Sequence, residues 1–368
     1  MSHHLSKKLR CTAAALAAVL LCGIAPVPAR AFDLGGVLGS LIGGAALYKQ
    51  VDQEIAYVNN TEEGRQKYFE ALKESEGVSY NPELNARLDS IMYSLTAGIA
   101  PSEPSVTEKP FLYFLNPKQE FNAACGMGHV MTVNEGIFSL TDSTDEIAVV
   151  LAHEMGHGIK DHVAVSMKKK IRTVIAGSVA ASAIDAGALS DIAMGTMVNQ
   201  ITQVQIGRSD EWEADNLAFD YCYQAGYNPG AAAALWVRVE EQMGKNDQNF
   251  VGEIFSPSDH PSNSDRRDNY EEKLKKLSGN RVTVKKGTDM VQINKKDFLI
   301  PASLPGMSSA ERKYFVMGNL AAAYDHGEAD KPAYASNGTV YLGNQAILTP
   351  VSGDPSAEEL AALLNRIR

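Results

Sequence analysis

The stretch VVLAHEMGHGIKDH, residues 149–162, constrains the fold of this chain more than any other part of its sequence. It joins an apolar run to the pattern H-E-x-x-H, and the apolar residues predict a helix that enters the protein interior. Positions four apart on a helix differ by about 40° around its axis, so His153 and His157 project from one face toward a common point. Glu154 lies about 100° round from His153, beside that point. The stretch therefore predicts a helix that gathers two imidazoles and a carboxylate.

The residues just ahead of the histidines define the start of this helix. Ser143 is followed three residues later by Glu146, which predicts a capping box. Ile147, Val150 and Leu151 come next, and we expect them to face the core. The alternative is a surface helix with two solvated histidines. The apolar run IAVVLA immediately before the first histidine argues against that alternative.

Zinc chemistry requires the groups that this spacing brings together. Two neutral imidazoles can bind Zn²⁺ and leave positions for a third ligand and a water molecule. The metal lowers the pKa of that water toward about 7, and Glu154 beside it can take the proton as the water attacks. H-E-x-x-H on a helix therefore predicts peptide hydrolysis as the reaction.

A third ligand is available in GRSDEWEADNLAFDYC, residues 207–222, which also has a helical pattern. Its predicted buried face contains Ala214, Leu217, Ala218 and Tyr221. Glu211 and Asp215 are four apart, so one can bind metal while the other accepts the N–H of a ligand histidine. The alternative is a solvated acidic first turn that is favoured by the helix dipole.

Together these motifs resemble a known family. VVLAHEMGH, followed about fifty residues later by EWEAD, is similar to the HExxH…ExxAD pattern of the HtpX-like and CAAX-prenyl-endopeptidase family of zinc metallopeptidases, particularly its soluble periplasmic branch. FNAACGMGHVMTVNEGIF is similar to the strand that precedes the family's active-site helix. His260, Pro261 and Arg266 match a recurring H-P-x-x-x-x-R element. The resemblance covers roughly residues 60 to 275.

The resemblance implies one zinc ion per chain, held by His153, His157 and Glu211. It implies Glu154 as the general base and Asp215 as the partner of a ligand histidine. The pattern departs from that of the membrane-embedded relatives, because the chain lacks their long apolar spans. Segment 174–198 is interrupted by acidic residues, which are costly in a bilayer centre. We interpret it as one or two helices that cover the catalytic core.

Two further roles are implied by the same resemblance. His260 is expected in the cleft, where it stabilises the oxyanion or sits against the metal in a resting form. The strand at 128–134 is expected to be a sheet edge to which an extended peptide adds by main-chain hydrogen bonds, with Gly128, Val130 and Thr132 as substrate-binding residues. Cys125 and His129 stand in this segment where the family often has alanine and glycine, and we expect them to be packing residues.

The N-terminus has the pattern of an export signal. Lys7, Lys8 and Arg10 precede an apolar run that ends at an A-x-A pattern, so residues 1–31 are predicted to be a signal peptide. A membrane anchor is the alternative, but the run is shorter than the ~18–20 apolar residues that span a bilayer. Removal of this segment takes four of the 34 basic residues and none of the 44 acidic ones, which leaves a net charge of −14. This charge argues against a nucleic-acid partner.

Three segments follow the signal peptide, and together they predict an α+β fold. Residues 32–57 form a glycine-rich apolar leader, whose part 34–48 could pack in a groove, contact a membrane surface or remain unstructured. Residues 58–278 are predicted to be a mainly helical metallopeptidase domain with a small β-sheet. Residues 279–368 read as a small α+β appendage. Its role is left open between docking, inhibition, substrate presentation and passive stabilisation.

The function predicted from these observations is that of an exported zinc endopeptidase, in the periplasm or secreted. Its expected substrates are unfolded or misassembled envelope proteins. The mature chain itself is expected to have no membrane span. The alternative is a metal-stabilised chaperone or assembly factor with little turnover. Glu154 favours catalysis, since a structural metal site has no need of a base.

Only Cys125 and Cys222 remain after the signal peptide, and the sequence leaves open whether they form a disulfide.

Overall fold

The structure is a computed structural model that describes residues 40–177, 198, 206–244 and 261–368. The predicted signal peptide, His260 and most of segment 174–198 lie outside the described residues.

Helices dominate the N-terminal half. They are α1 (Ser40–Asn60), α2 (Glu62–Glu76), α3 (Pro82–Ile99), the short α4 (Ser105–Glu108) and α5 (Ile137–Leu140), α6 (Thr144–Ile159) and α7 (His162–Gly177). Thr61 caps α2 and Asn81 caps α3, each by accepting a backbone N–H of the first turn. Leu88, Ile91, Met92, Leu95 and Ile99 form the buried face of α3.

A three-stranded mixed sheet lies between these helices. Its strands are β1 (Leu112–Asn116), β2 (Ala123–Cys125) and β3 (Val130–Asn134), in the order β1-β3-β2. β3 pairs in parallel with β1 and antiparallel with β2, so β3 is the central strand. A 3₁₀ turn at Met127–His129 connects β2 to β3.

Both faces of this sheet are covered. Side chains alternate along a strand, so neighbouring residues of β3 pack on opposite faces. Met131 and Val133 pack in the main core with helix α6, whereas Val130 packs in a second cluster with α1 and α2. Val51 and Ile55 of α1 belong to that second cluster. Helix α1 therefore joins the core, and it runs through residue 57, where the sequence predicts the end of the leader.

The remaining elements follow in the C-terminal half. They are α8 (Arg208–Gln224), α9 (Ala231–Gly244), α10 (Asn263–Leu277), β4 (Val282–Val284), β5 (Val291–Ile293), β6 (Lys296–Leu299), α11 (Ser309–Asp325), β7 (Ala333–Ser336), β8 (Thr339–Leu342), β9 (Gln345–Leu348) and α12 (Ala357–Ile367). Strands β4–β6 and β7–β9 form two antiparallel three-stranded sheets. Capping boxes at Ser262, Ser308 and Ser356 start α10, α11 and α12.

Residues 279–368 share one hydrophobic core with the peptidase region. Tyr314, Met317 and Leu320 of α11 are buried in the same cluster as Leu235 of α9 and Leu274 of α10. The predicted α+β class with a mainly helical core is confirmed. Within the described ranges, no helix combines the length and the apolar character needed to cross a membrane.

Candidate metal centre

Helix α6 carries the H-E-x-x-H pattern, and its start differs in part from the prediction. Ser143 caps the helix by accepting the backbone N–H of Glu146 at 3.3 Å. The Glu146 side chain does not complete the capping box. It is fully buried, accepts a hydrogen bond from the Thr141 hydroxyl and pairs with Arg238 at 3.1 Å. A buried guanidinium offers this carboxylate a stronger, charged partner than a backbone amide does.

Helix α8 lies against α6 and brings a carboxylate to the two histidines. The Nε2 atoms of His153 and His157 are 2.9 Å apart. Glu211 places one carboxylate oxygen 3.5 Å from the first of these nitrogens and the other 3.4 Å from the second. All three side chains are buried. Gly156 faces Ala214 of α8, where an added Cβ would lie 3.4 Å from the Ala214 Cα atom, an ordinary van der Waals contact.

The donor set fits a divalent cation such as zinc. One ligand atom from each of His153, His157 and Glu211 lies within 4.8 Å of the others. Bonds of about 2.0 Å would place two ligands of a tetrahedral zinc ion about 3.3 Å apart, which is close to the spacings found here. Two nitrogens and one carboxylate leave one tetrahedral position for a reacting group, as catalytic sites require.

Asp215, one turn after Glu211 along α8, contacts the His153 ring at Nδ1, the nitrogen that does not face Glu211. Its Oδ1 lies 3.0 Å from His153 Nδ1, which directs Nε2 of that ring toward Glu211. Arg266 binds both oxygens of Asp215, with Nε 2.6 Å from Oδ2. Tyr270 donates its hydroxyl to Asp215 Oδ1 at 3.1 Å, and the Trp236 ring lies 4.0 Å from the Arg266 guanidinium.

These contacts set the charges in the centre. Burial alone would raise the pKa of Asp215, but Arg266 and His153 outweigh it and hold that pKa below its usual value. Burial would likewise lower the pKa of His153, but hydrogen bonds to Asp215 and Glu211 raise it to about 9. Burial and the charge of His153 lower the pKa of His157. A cation that binds here would therefore displace a proton from His153 at neutral pH.

Glu154 lies beside the cluster on the side of the sheet. Its Oε2 accepts the backbone N–H of Cys125 at 2.8 Å, which fixes the carboxylate against strand β2. Burial raises the pKa of Glu154 to about 7, although the charge of His153 opposes the shift. A carboxyl group with a pKa near the working pH can both take up and release a proton.

The expectation that the strand at 128–134 forms a sheet edge is wrong. Strand β3 is not an edge, because β1 and β2 flank it on both sides. Gly128 donates its N–H to Asn59 at 2.6 Å and accepts Arg65 Nε at 2.5 Å. Thr132 accepts Asn116 Nδ2 at 2.8 Å, and the Val130 side chain is fully buried. These groups are saturated by the chain itself and cannot pair with a peptide.

Among the described residues, no strand pairs with the outer edge of β2, and this edge faces the metal centre. Ala124 pairs with Thr132 of the central strand, and the backbone N–H of Gly126 donates to Val130. Because pairing alternates along a strand, Ala123 and Cys125 direct their backbone groups away from β3. The N–H of Cys125 already meets Glu154 on that side.

The two cysteines are buried free thiols that do not form a disulfide. Burial raises the pKa of Cys125 well above its usual value, so this thiol is unreactive. His129 stacks on Phe111 and contacts the Lys109 carbonyl at 2.7 Å. Neither residue adds a group to the metal cluster.

Sequence reasoning missed several residues that surround the site. Arg266 was noted as part of a motif, but its pairing with Asp215 was not predicted. Tyr270 follows it by four residues, so a helical pattern places both on one face of α10. Trp236 gave no such signal, since it contacts the site only through tertiary packing.

Comparison with known proteins decides the family. The model of peptidase family M48 matches residues 82–273, just over half of the chain, and this range includes both halves of the metal cluster. The chain belongs to peptidase family M48. This result confirms the resemblance to HtpX-like metallopeptidases and places the chain among the metallo-endopeptidases.

Several named proteins are similar to part of the chain. The beta-barrel assembly-enhancing protease of Yersinia pestis is 24% identical over 227 residues, covering 60% of this chain and 43% of its own. Metalloprotease LoiP of Escherichia coli (strain K12) is 25% identical over 171 residues, covering 46% and 65%. The mitochondrial metalloendopeptidase OMA1 of Schizosaccharomyces pombe is 31% identical over 168 residues, covering 44% and 46%. The chain thus matches between 43% and 65% of the length of these relatives.

Proposed function

We propose that this M48 chain is an exported zinc endopeptidase that hydrolyses peptide bonds of unfolded or misassembled envelope proteins. The observation that carries the proposal is the convergence of His153, His157 and Glu211 on one point, with Glu154 beside it. A base next to an open ligand position suits hydrolysis and has no use in a structural site.

Each residue of the centre has a proposed role. His153, His157 and Glu211 hold the zinc ion. When bound, zinc supplies Lewis-acid chemistry, lowering the pKa of a water molecule and polarising the substrate carbonyl. Glu154 takes the proton of the attacking water and gives it to the leaving amine. Asp215 keeps the His153 ring oriented toward the ligand position.

We propose that His260 lies in the cleft, as the family resemblance implies. It lies outside the described residues, but its neighbour Pro261 leads into helix α10, which holds Arg266 against Asp215. In the sequence, His260 lies three residues before Asn263, the first residue of this helix. Its two proposed roles are stabilisation of the oxyanion and occupation of the open ligand position in a resting form.

The substrate class is proposed from the relatives and from the N-terminus. Two kinds of observation support envelope proteins: the name of the beta-barrel assembly-enhancing protease, and the signal-peptide pattern of residues 1–31. We place the mature chain in the periplasm. An extended peptide can add by main-chain hydrogen bonds to the outer edge of β2, which no strand of the described residues covers, and this mode gives loose sequence preference.

A chaperone or assembly factor with little turnover is the second candidate, and one observation favours it. Glu154 and the three metal-binding side chains are each no more than 6% exposed, so substrate reaches them only after part of the chain moves. A polypeptide could bind to such a chain and leave uncut.

The first test is the zinc content of purified residues 32–368 by elemental analysis, paired with casein cleavage with and without a chelator. We expect one zinc ion per chain and chelator-sensitive cleavage, both lost in Glu211→Ala. Asp220→Ala, an exposed acidic residue on the same helix, is the control and should keep both. Zinc without cleavage would favour the chaperone candidate. Wild-type protein without zinc would refute the metal site.

A further inference from the structure

A third histidine, His162, lies against the metal centre and has no role in the mechanism above. It is the first residue of helix α7, and its side chain is buried. Helix α6 ends at Ile159, and Asp161 adopts a left-handed conformation with φ of 54°. Asn59 donates to Asp161 Oδ1 at 3.0 Å and holds this tight turn. The chain therefore reverses within two residues and returns His162 to the side of His157.

His162 contacts its neighbours through both ring nitrogens. Its Nδ1 lies 2.9 Å from Nδ1 of His157, and the two rings meet edge to face at 71°. Its Nε2 lies 3.3 Å from Oε2 of Glu213, which is two residues along α8 from Glu211. The contacts therefore run in series from Glu213 through His162 to His157.

When a metal ion is bound, only one arrangement of protons is possible along the contacts from Glu213 through His162 to His157. A neutral imidazole carries one N–H, and a metal-binding nitrogen carries none. If Nε2 of His157 binds the metal, the proton of that ring is on Nδ1 and must be donated to Nδ1 of His162. The proton of His162 is then on Nε2, where Glu213 accepts it. Each donor in this arrangement has an acceptor within hydrogen-bonding distance.

We propose that His162 is a positioning residue for the metal centre, which fixes the tautomer and the ring orientation of His157 and is itself fixed by Glu213. The inference rests on the proposed metal site and deepens it. His153 has a carboxylate directly at its Nδ1, whereas His157 has one through a second imidazole. Partners of this kind orient a metal-binding histidine and raise its basicity.

A pair of substitutions at one position separates this role from packing. The side-chain amide of asparagine reaches the place of Nδ1, and that of glutamine reaches the place of Nε2. His162→Asn therefore keeps an acceptor for His157 and loses Glu213, whereas His162→Gln keeps the contact with Glu213 and loses His157. Both replace a buried ring by an amide, so their effects on packing are matched.

The measurement is zinc affinity by competition with a chromogenic chelator at fixed pH, with the thermal unfolding midpoint of each zinc-free protein recorded alongside. Loss of an outer partner weakens metal binding by about 10–100-fold, and we expect this for His162→Gln. We expect His162→Asn to lie within a few-fold of wild type. Equal affinities of the two variants would overturn the proposal.

Glu213 provides a second test that does not disturb the core, because its side chain is half exposed. Glu213→Gln should weaken zinc binding several-fold, since an amide oxygen is a poorer acceptor than a carboxylate. Asp210→Asn is the control, because it removes the same charge from the same turn without contact to His162. Equal losses in both variants would indicate long-range electrostatics and would also overturn the proposal.

The results distinguish this inference from the proposed function. Tight zinc binding by wild type with no loss in His162→Gln and Glu213→Gln refutes the positioning role and leaves the zinc site intact. No zinc binding by wild type refutes both. Weak binding in His162→Gln with an unchanged unfolding midpoint of the zinc-free protein supports the role of His162 in ligand orientation.

Discussion

Glu154 is the residue on which the distinction between enzyme and binding protein depends. We expect Glu154→Gln to lower the rate of casein cleavage at least 10²-fold, because general bases contribute about 10²–10⁴-fold. The amide oxygen of glutamine can still accept the Cys125 N–H, so the local structure should persist. Zinc content should stay at the wild-type value, which elemental analysis would check. A variant that cleaves at the wild-type rate would contradict the proposed mechanism.

The pKa of Glu154 gives the same residue a pH dependence. With a pKa raised to about 7, its carboxylate form increases as the pH rises from 5 to 7. The charge of a bound cation lowers that value. We expect kcat/KM to rise with pH on an acidic limb at or below about pH 7 and then level off. A rate that falls over this interval would argue against Glu154 as the base.

At the residue scale, the sequence was informative wherever function depends on helical spacing. His153 and His157 are four apart, as are Glu211 and Asp215, and such pairs meet on one helix face. The distance between the two helices, and the side chains that a third helix brings to the site, depend on tertiary packing. Arg266 reaches Asp215 across 51 residues of chain, so no local pattern could pair them.

Strand β3 shows how an element can be recognised and still be misplaced. The sequence VMTVN predicted a strand correctly, but its position in the sheet was inferred from the family. Every residue of β3 is buried, and a continuous buried run is typical of a central strand. An edge strand usually alternates or carries charged residues. Hydrophobic patterning therefore argued for the centre, and the outer edge beside Glu154 belongs to the short β2.

The crossing of helices α9 and α11 depends on two glycines. A Cβ added to Gly318 would overlap Asn228 and Gly230, and one added to Gly230 would overlap the Tyr314 carbonyl. In an ordinary helix, Gly→Ala stabilises by roughly 0.5–1 kcal/mol. We expect Gly318→Ala to do the opposite and lower the free energy of unfolding by about 1–3 kcal/mol, since overpacking costs that much. Urea unfolding would measure the change, and a stabilised variant would refute the close crossing.

Among the described residues, one main hydrophobic cluster includes side chains from both the predicted peptidase domain and the predicted appendage. Residues of α11 and α12 are buried in the same cluster as α3, α6 and α9. Residues on both sides of the predicted boundary at 278/279 belong to this cluster. Only tertiary contacts could reveal this, because each segment by itself reads as a plausible small unit. Asn228 illustrates the connection, as it binds Asp145 at 3.0 Å and the Phe315 carbonyl at 3.0 Å.

Two carboxylates and one guanidinium join the peptidase region to the C-terminal region in the interior. Arg238 of α9 lies 3.1 Å from Glu146 of α6 and 3.5 Å from Glu311 of α11. Burial raises the pKa of Glu311 to about 7, although Ser308 and Arg238 oppose the shift. A raised folded-state pKa means that the folded protein holds this proton more tightly than the unfolded chain does. Glu311 therefore costs stability as the pH rises from about 4.5 to about 7.

Glu311→Gln should remove this loss of stability. Glutamine can still serve the capping box of α11, because its side-chain oxygen accepts the Ser308 N–H. We expect the free energy of unfolding of the variant to exceed that of wild type by about 1–2 kcal/mol at pH 8 and to differ little at pH 4.5. Glu358→Gln, on the exposed first turn of α12, should show no such difference between the two pH values. If Glu311→Gln destabilised the protein more at pH 8 than at pH 4.5, the ionised carboxylate would be a net stabilising partner of Arg238. The junction between the two regions would then be held by the ion pair in addition to the shared core.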